Sequence, residues 1–130
     1  KIEDSILNSE NIIDDYYIEK DGKDVSYKGW SETDYFDLSK YKSLLVIGND
    51  NIYNAIYDKN KQFINTVNFF GITLYNSKIG DVGTDIAYIK VTDAFKYMRL
   101  SNGTSILKSV KMYPISNEDF NKHLIFNVGK

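Results

Sequence analysis

The chain has no cysteine, one proline, one arginine and one histidine among its 130 residues. Without cysteine there are no disulfides, thiolate nucleophiles or thiolate metal sites. This leaves the compartment open, because a large core makes disulfides unnecessary outside the cell as well as inside it. The lone histidine, His123, has no second histidine with which to share a metal and no partners for a charge-relay triad. The spacings G-x-S-x-G, H-E-x-x-H and the P-loop are missing, and Gly80-x-x-Gly83 has no following helical pattern to cradle a phosphate. No apolar run reaches the ~18 residues of a membrane span, and the opening Lys1-Ile2-Glu3-Asp4 does not read as a signal peptide. Charge of one sign is also lacking. Sixteen basic and 18 acidic residues leave a net charge of −2, interspersed with no run of four like charges. That excludes the basic patch needed to displace counterions from nucleic acid or to hold an anionic membrane.

What the chain does have is β-prone apolar and aromatic residues. A 42% hydrophobic content suits one sizeable core, and the length suits one domain. Lysine, asparagine and isoleucine together make 44 residues, a bias of the kind AT-rich coding produces, so the many Lys and Asn are not read as a binding surface. The best-specified stretch is Ser43 to Val67. Its branched apolar run Ser43-Leu44-Leu45-Val46-Ile47 predicts a strand buried on both faces or in a sandwich core. Gly48-Asn49-Asp50-Asn51 predicts a loop, and Asp58-Lys59-Asn60-Lys61 predicts a four-residue hairpin between two further strands.

Taken in order, residues 1–10 read as a short helical turn or a lead-in. Asn11 to Ile18 reads as a first strand, Asp21-Gly22 as a type I′ turn, and Val25 to Trp30 as a second strand, broken at Ser31-Glu32-Thr33-Asp34. Asn68 to Tyr75 reads as extended, and Asn76 to Asp85 as a polar rim loop. Ile86 to Val91 and Phe95 to Leu100 alternate as half-buried strands. Asn102-Gly103 predicts a turn, and Ser105 to Ile115 a late strand with Pro114 at its end, where a missing amide donor does least harm. Residues 116–130 read as a linker, a helix start or a last strand. About nine short strands at 8–12 residue spacing predict an all-β fold, an antiparallel β-sandwich of jelly-roll type, with a closed barrel as the alternative. No window sustains the apolar stripe of a long helix.

Chemistry is harder to find. The carboxylates Asp14, Asp15, Asp34, Asp37, Asp50, Asp58, Asp81 and Asp85 fall at strand ends and loops, where solvated turn residues belong, and no pair is assigned a glycosidase role. Asp81 and Asp85, in a Gly-containing loop, form the one candidate metal site, for a structural calcium ion held by oxygen ligands; no other cofactor is expected. Eleven Tyr, seven Phe and one Trp are the remaining signal. Flat aromatic faces stack on the apolar faces of sugars while Asn, Asp and Lys bond the hydroxyls. The expected ligand-binding set is therefore Trp30, Tyr27 and Tyr35 with the loop Asn49, Asp50 and Asn51. Tyr53 and Tyr57 are read as scaffold.

The segments Asn11 to Gly22, Trp30 to Tyr35, Asn54 to Ile64 and Lys96 to Ser101 together resemble the jelly-roll modules appended to bacteriophage tail fibres and receptor-binding proteins. Similar carbohydrate-binding modules occur on bacterial surface and secreted proteins. The likeness spans roughly residues 11–113, with Tyr97-x-Arg99-x-Ser101 as a strand that closes the sheet; residues 68–86 have no counterpart in it. It implies a non-catalytic glycan-binding or adhesion module of a longer protein, located on a virion tail or outside the cell, with a homotrimeric parent as one arrangement. Its partner would be a cell-surface or polysaccharide glycan, with no nucleic acid and no membrane insertion. The rival expectation is a structural assembly domain that oligomerises without binding sugar.

Overall fold

A computed structural model describes residues 5–49, 51–67, 86–91 and 93–114. These residues are predominantly β, and every strand pairing is antiparallel. The strands are β1 (Ile12–Ile18), β2 (Asp24–Thr33), β3 (Phe36–Asp37), β4 (Ser43–Ile47), β5 (Ala55–Tyr57), β6 (Phe63–Thr66), β7 (Ile86–Lys90), β8 (Tyr97–Arg99), β9 (Ser101–Gly103) and β10 (Lys111–Pro114). They form three sheets, ordered β1-β2-β9, β10-β4-β7 and β3-β8-β5-β6. A single four-residue helix, α1 (Thr104–Leu107), and two 3-10 turns complete the described residues. None of these helices is long and apolar enough to cross a membrane.

β4 is central to its sheet, and Leu44, Leu45 and Val46 are all buried. A continuous run of branched and apolar residues is what a strand covered on both faces requires. The main core joins Leu44 and Val46 of β4 and Met112 of β10 to Phe36 of β3 and Met98 of β8, with Leu7, Leu38, Leu100, Leu107 and Val110 around them. Two sheets thus contribute to one apolar cluster. A second cluster, Ile18, Ala55 and Tyr57, backs the other end of the four-stranded sheet, with Tyr35 and Tyr97 against it.

The chain passes from one sheet to another at Leu100, between β8 and β9. Its carbonyl accepts from the Thr33 amide at 2.8 Å, and its amide donates to Thr33 Oγ1 at 3.0 Å. The Tyr97-to-Ser101 segment expected to close one sheet therefore belongs to two.

Several local expectations are corrected. β2 continues through Ser31, Glu32 and Thr33, all buried polar residues, because β1 and β9 pair with them on both sides. Asn102-Gly103 is not a turn but lies in β9 on the edge of β2. Ser105 to Leu107 is helical, and the late strand starts only at Lys111. In the turn that joins β1 to β2 only Gly22 has positive φ, at 83°, and the Gly22 amide donates to the Glu19 carbonyl. That is a common turn closed by a left-handed glycine rather than the expected type I′. The Asp58 to Lys61 hairpin is as expected. Asp58 Oδ1 accepts from the amides of Asn60 and Gln62 at 2.8 and 2.9 Å, and Lys61 takes the left-handed position at φ 59°.

Candidate ligand-binding cleft

The candidate site begins with a discontinuity in the first hairpin. Asp14 faces Ser31, yet Tyr16 faces Ser26, so β2 gives up five residues while β1 advances two. Tyr27-Lys28-Gly29-Trp30 thus stand opposite Asp15 alone, three residues in excess, with Gly29 at φ 94° and Asp15 at φ 69°. Bulges re-aim side chains and increase local twist, and this one directs Tyr27 and Trp30 to a common cleft with Tyr17 of β1 and Tyr53. The cleft holds about 250 Å³.

Tyr17 touches the other three rings, with centroids 5.7 Å from Tyr27, 5.9 Å from Trp30 and 5.5 Å from Tyr53. Trp30 and Tyr53 are 5.6 Å apart. All four contacts are edge-to-face, the arrangement favoured when the positive edge of one ring meets the negative face of another. The planes of Tyr17, Trp30 and Tyr53 stand at 70°, 85° and 89° to one another, so the three rings point along three different directions around one volume. Tyr27 is 54% exposed and forms the open side. Hydrogen bonding to Glu19, burial and the charge of Glu19 together raise the Tyr17 pKa above its ordinary value.

Tyr53 reaches the cleft through an asparagine network. Asn49 Nδ2 donates to Asn54 Oδ1 at 2.9 Å, and Asn102 Nδ2 donates to Asn49 Oδ1 at 2.8 Å. Asn51 Nδ2 donates to the Ser101 carbonyl at 2.8 Å, and its Oδ1 accepts from the Tyr53 amide at 2.6 Å. Asn54 Nδ2 donates to the carbonyls of Asn51 and Val67, while its Oδ1 accepts from the Ser101 amide. At the centre the Ser101 hydroxyl accepts from the Ile18 amide at 3.2 Å and donates to the Tyr53 carbonyl. One side chain of β9 therefore fixes the backbone beside Tyr17 and the backbone of Tyr53, which sets the spacing of their rings.

The structure brings together only part of the expected set. Tyr27 and Trp30 line the cleft. Asn49 is 1% exposed, and the amide groups of Asn49 and Asn51 are engaged within the scaffold. They hold the loop, and the expectation of sugar contact through them is withdrawn. Asp50, Asp81, Asp85 and His123 lie outside the described residues, as do the Asn68–Tyr75 and Asn76–Asp85 segments and residues 116–130. Among the described residues no three of His, Cys, Asp and Glu come together as a metal site. Tyr17 and Tyr53 line the cleft although sequence reasoning placed neither in the ligand-binding set and read Tyr53 as scaffold. A period of two marks Tyr17 only as a strand residue, and Tyr53 arrives through contacts about 50 residues away in the chain.

Tyr35 sits elsewhere, in a cluster built around Arg99. Its ring is 5.0 Å from Tyr57 and 5.9 Å from Tyr97, with the Arg99 guanidinium 4.6 Å and Lys61 Nζ 4.8 Å from its centroid. The Arg99 side chain is buried. It donates through Nε to the Thr33 carbonyl at 3.0 Å, through Nη1 to Asp24 at 2.6 Å and through Nη2 to Glu32. Asp24 and Glu32 are eight positions apart on one strand and reach the same guanidinium because the bulge shortens the path between them. Burial and a hydrogen bond to Asp24 push the Glu32 pKa up to about 8, against the pull of Arg99. Burial alone would raise Asp24, but the Glu32 hydrogen bond and the Arg99 charge outweigh it and hold it low. The two carboxylates facing one guanidinium are thus shifted in opposite directions. Burial likewise raises Tyr57 to about 12, and its hydroxyl donates to the Gly22 carbonyl at 2.8 Å. With Arg99 and Glu32 enclosed, this polar cluster joins the first hairpin to the four-stranded sheet.

No family model matches the chain, and neither does any curated protein or any solved structure.

Proposed function

We propose that this chain is a non-catalytic carbohydrate-recognition module, a jelly-roll β-sandwich from a phage tail or bacterial surface or secreted protein, which contacts its glycan through the cleft of Tyr17, Tyr27, Trp30 and Tyr53. The observation that carries this reading is the convergence of four aromatic side chains on one open cleft, where an apolar sugar face finds ring surface. Tyr hydroxyls and the indole N–H add polar tips for hydroxyl groups. A structure that diverts three extra residues into a bulge to present Tyr27 and Trp30 supports recognition over simple sheet filling, since bulges recur where side chains are re-aimed for function.

Trp30 is the only tryptophan, so its fluorescence reports directly on the cleft. Titration with a panel of bacterial surface polysaccharides and their oligosaccharides should give a saturable change with at least one. Replacement Tyr27→Ala, at an exposed ring, should weaken that affinity roughly fivefold to thirtyfold, the loss of one aromatic contact worth about 1–2 kcal/mol. Silence across the panel, with a trimer by light scattering, would replace this reading with that of an assembly domain.

A further inference from the structure

We propose that Arg99 is a positioning residue for this cleft: from a neighbouring sheet it bonds β2 on both sides of the bulge that presents Tyr27 and Trp30, and so sets where those rings stand. That role rests on the reading of the cleft as the ligand site. Asp24 precedes the bulge, and Glu32 and Thr33 follow it. Arg99 holds all three at once, through Nη1 to Asp24 at 2.6 Å, through Nη2 to Glu32 and through Nε to the Thr33 carbonyl at 3.0 Å. Among the described residues it is the one side chain that bonds both halves of β2.

Strand pairing is interrupted where the rings emerge. Before the bulge, Asp24, Val25 and Ser26 pair with β1 alone, whereas from Trp30 onward β2 pairs with β9. β1 passes the bulge through a register break at Asp15, whose φ of 69° lies in the left-handed region. The guanidinium spans this gap because it is planar and presents its donors in a fixed fork, and charge-assisted bonds to carboxylates are the strong ones. Its own anchorage is firm. β8 lies between β3 and β5, and Arg99 is 3% exposed, with its guanidinium 4.6 Å from the centroid of the Tyr35 ring. The hydroxyls of Ser101 and Tyr57 hold the Ile18 amide and the Gly22 carbonyl, which places β1 and the turn rather than the bulge.

Removing Arg99 leaves Glu32 as an uncompensated buried charge and threatens folding, so the test cuts the Asp24 arm, whose side chain is 50% exposed. In the ligand-free protein Asp24→Ala should still unfold cooperatively, yet shift Trp30 emission to the red, raise its quenching by acrylamide and weaken the near-UV circular dichroism of the packed rings. Asp24→Asn, which keeps an acceptor oxygen in place, should recover most of each signal. Tyr57→Phe removes only the bond to the Gly22 carbonyl, so it should lower the urea midpoint and leave Trp30 unmoved. An unmoved Trp30 in Asp24→Ala, or the same shift in Tyr57→Phe, would overturn the positioning role. In titrations with bacterial surface polysaccharides, Asp24→Ala should weaken binding about twofold to thirtyfold, the range for residues that act on a site without touching its ligand. Equal affinity for wild type and Asp24→Ala would overturn the positioning role and leave glycan recognition standing. Movement of Trp30 in Asp24→Ala, with no saccharide bound by either protein, would uphold the placing of the rings by Arg99 and end the glycan reading.

Discussion

Replacing Glu32 by glutamine tests the protonation of the buried Arg99 cluster. In the folded protein the Glu32 pKa is raised from 4.5 to about 8, chiefly by burial, so the folded state holds a proton that the unfolded state releases at lower pH. Stability from this group is complete below pH 4.5 and is lost as pH rises through about 8. Each pKa unit is worth about 1.4 kcal/mol, so the displacement caps the effect at roughly 5 kcal/mol. Retention of the Arg99 contact on ionisation reduces it. A second route to the magnitude is Glu32 Oε1, buried without a partner, whose uncompensated charge costs roughly 1–3 kcal/mol. Between pH 5 and pH 9 the wild type should therefore lose about 1–3 kcal/mol that Glu32→Gln keeps. Urea unfolding of both proteins at each pH measures this, and the difference between them cancels the other titrating groups. A constant deficit of several kcal/mol for the variant across this range, with parallel pH profiles, would refute the raised Glu32 pKa. It would show instead an ionised Glu32 paired to Arg99, whose removal leaves a buried guanidinium with one partner fewer.

Three other changes probe the frame of the cleft and the hairpin that carries it. Asn54→Ala orphans the Ser101 amide, the Val67 carbonyl and the Asn49 amide nitrogen; it should cost roughly 2–4 kcal/mol in urea unfolding, and a loss under about 1 kcal/mol would mean water substitutes freely. Gly29→Ala adds a Cβ that meets nothing within 4 Å, so only its φ of 94° is penalised, by about 1–2 kcal/mol. Gly22→Ala carries the same kind of backbone strain at φ 83° and drives a Cβ to 2.8 Å from Phe63 Cγ and 2.9 Å from its Cβ. These atoms are too near the backbone to swing away, so Gly22→Ala should be the worse of the two by about 1–3 kcal/mol, and equal melting shifts for the pair would contradict that packing.

Much of the fold was legible because local chemistry and tertiary structure agree where they are strongest. The branched run of β4 is a buried strand, Asp58 closes the hairpin it was expected to close, and Pro114 ends β10. The misses share one cause. Ser31-Glu32-Thr33 and Ser101-Asn102-Gly103 are polar and turn-prone alone, yet each is a strand because its neighbours supply partners: β1 and β9 for the first, β2 and the asparagine network for the second. Local propensity carries no record of a partner about 70 residues away.

The cleft divides the same way. Composition alone determined that this chain is rich in aromatics, has no cysteine and has a single histidine, and spacing determined that it is all-β. Only tertiary structure decided which aromatics meet. The register break in the first hairpin turned Tyr27 and Trp30 toward Tyr17, Ser101 drew Tyr53 beside them, and Arg99 took Tyr35 away into a buried charge cluster. Ring faces gain a shared volume only when separate strands are held in register, and that register is set by long-range hydrogen bonds and burial, which no local stretch of the chain contains.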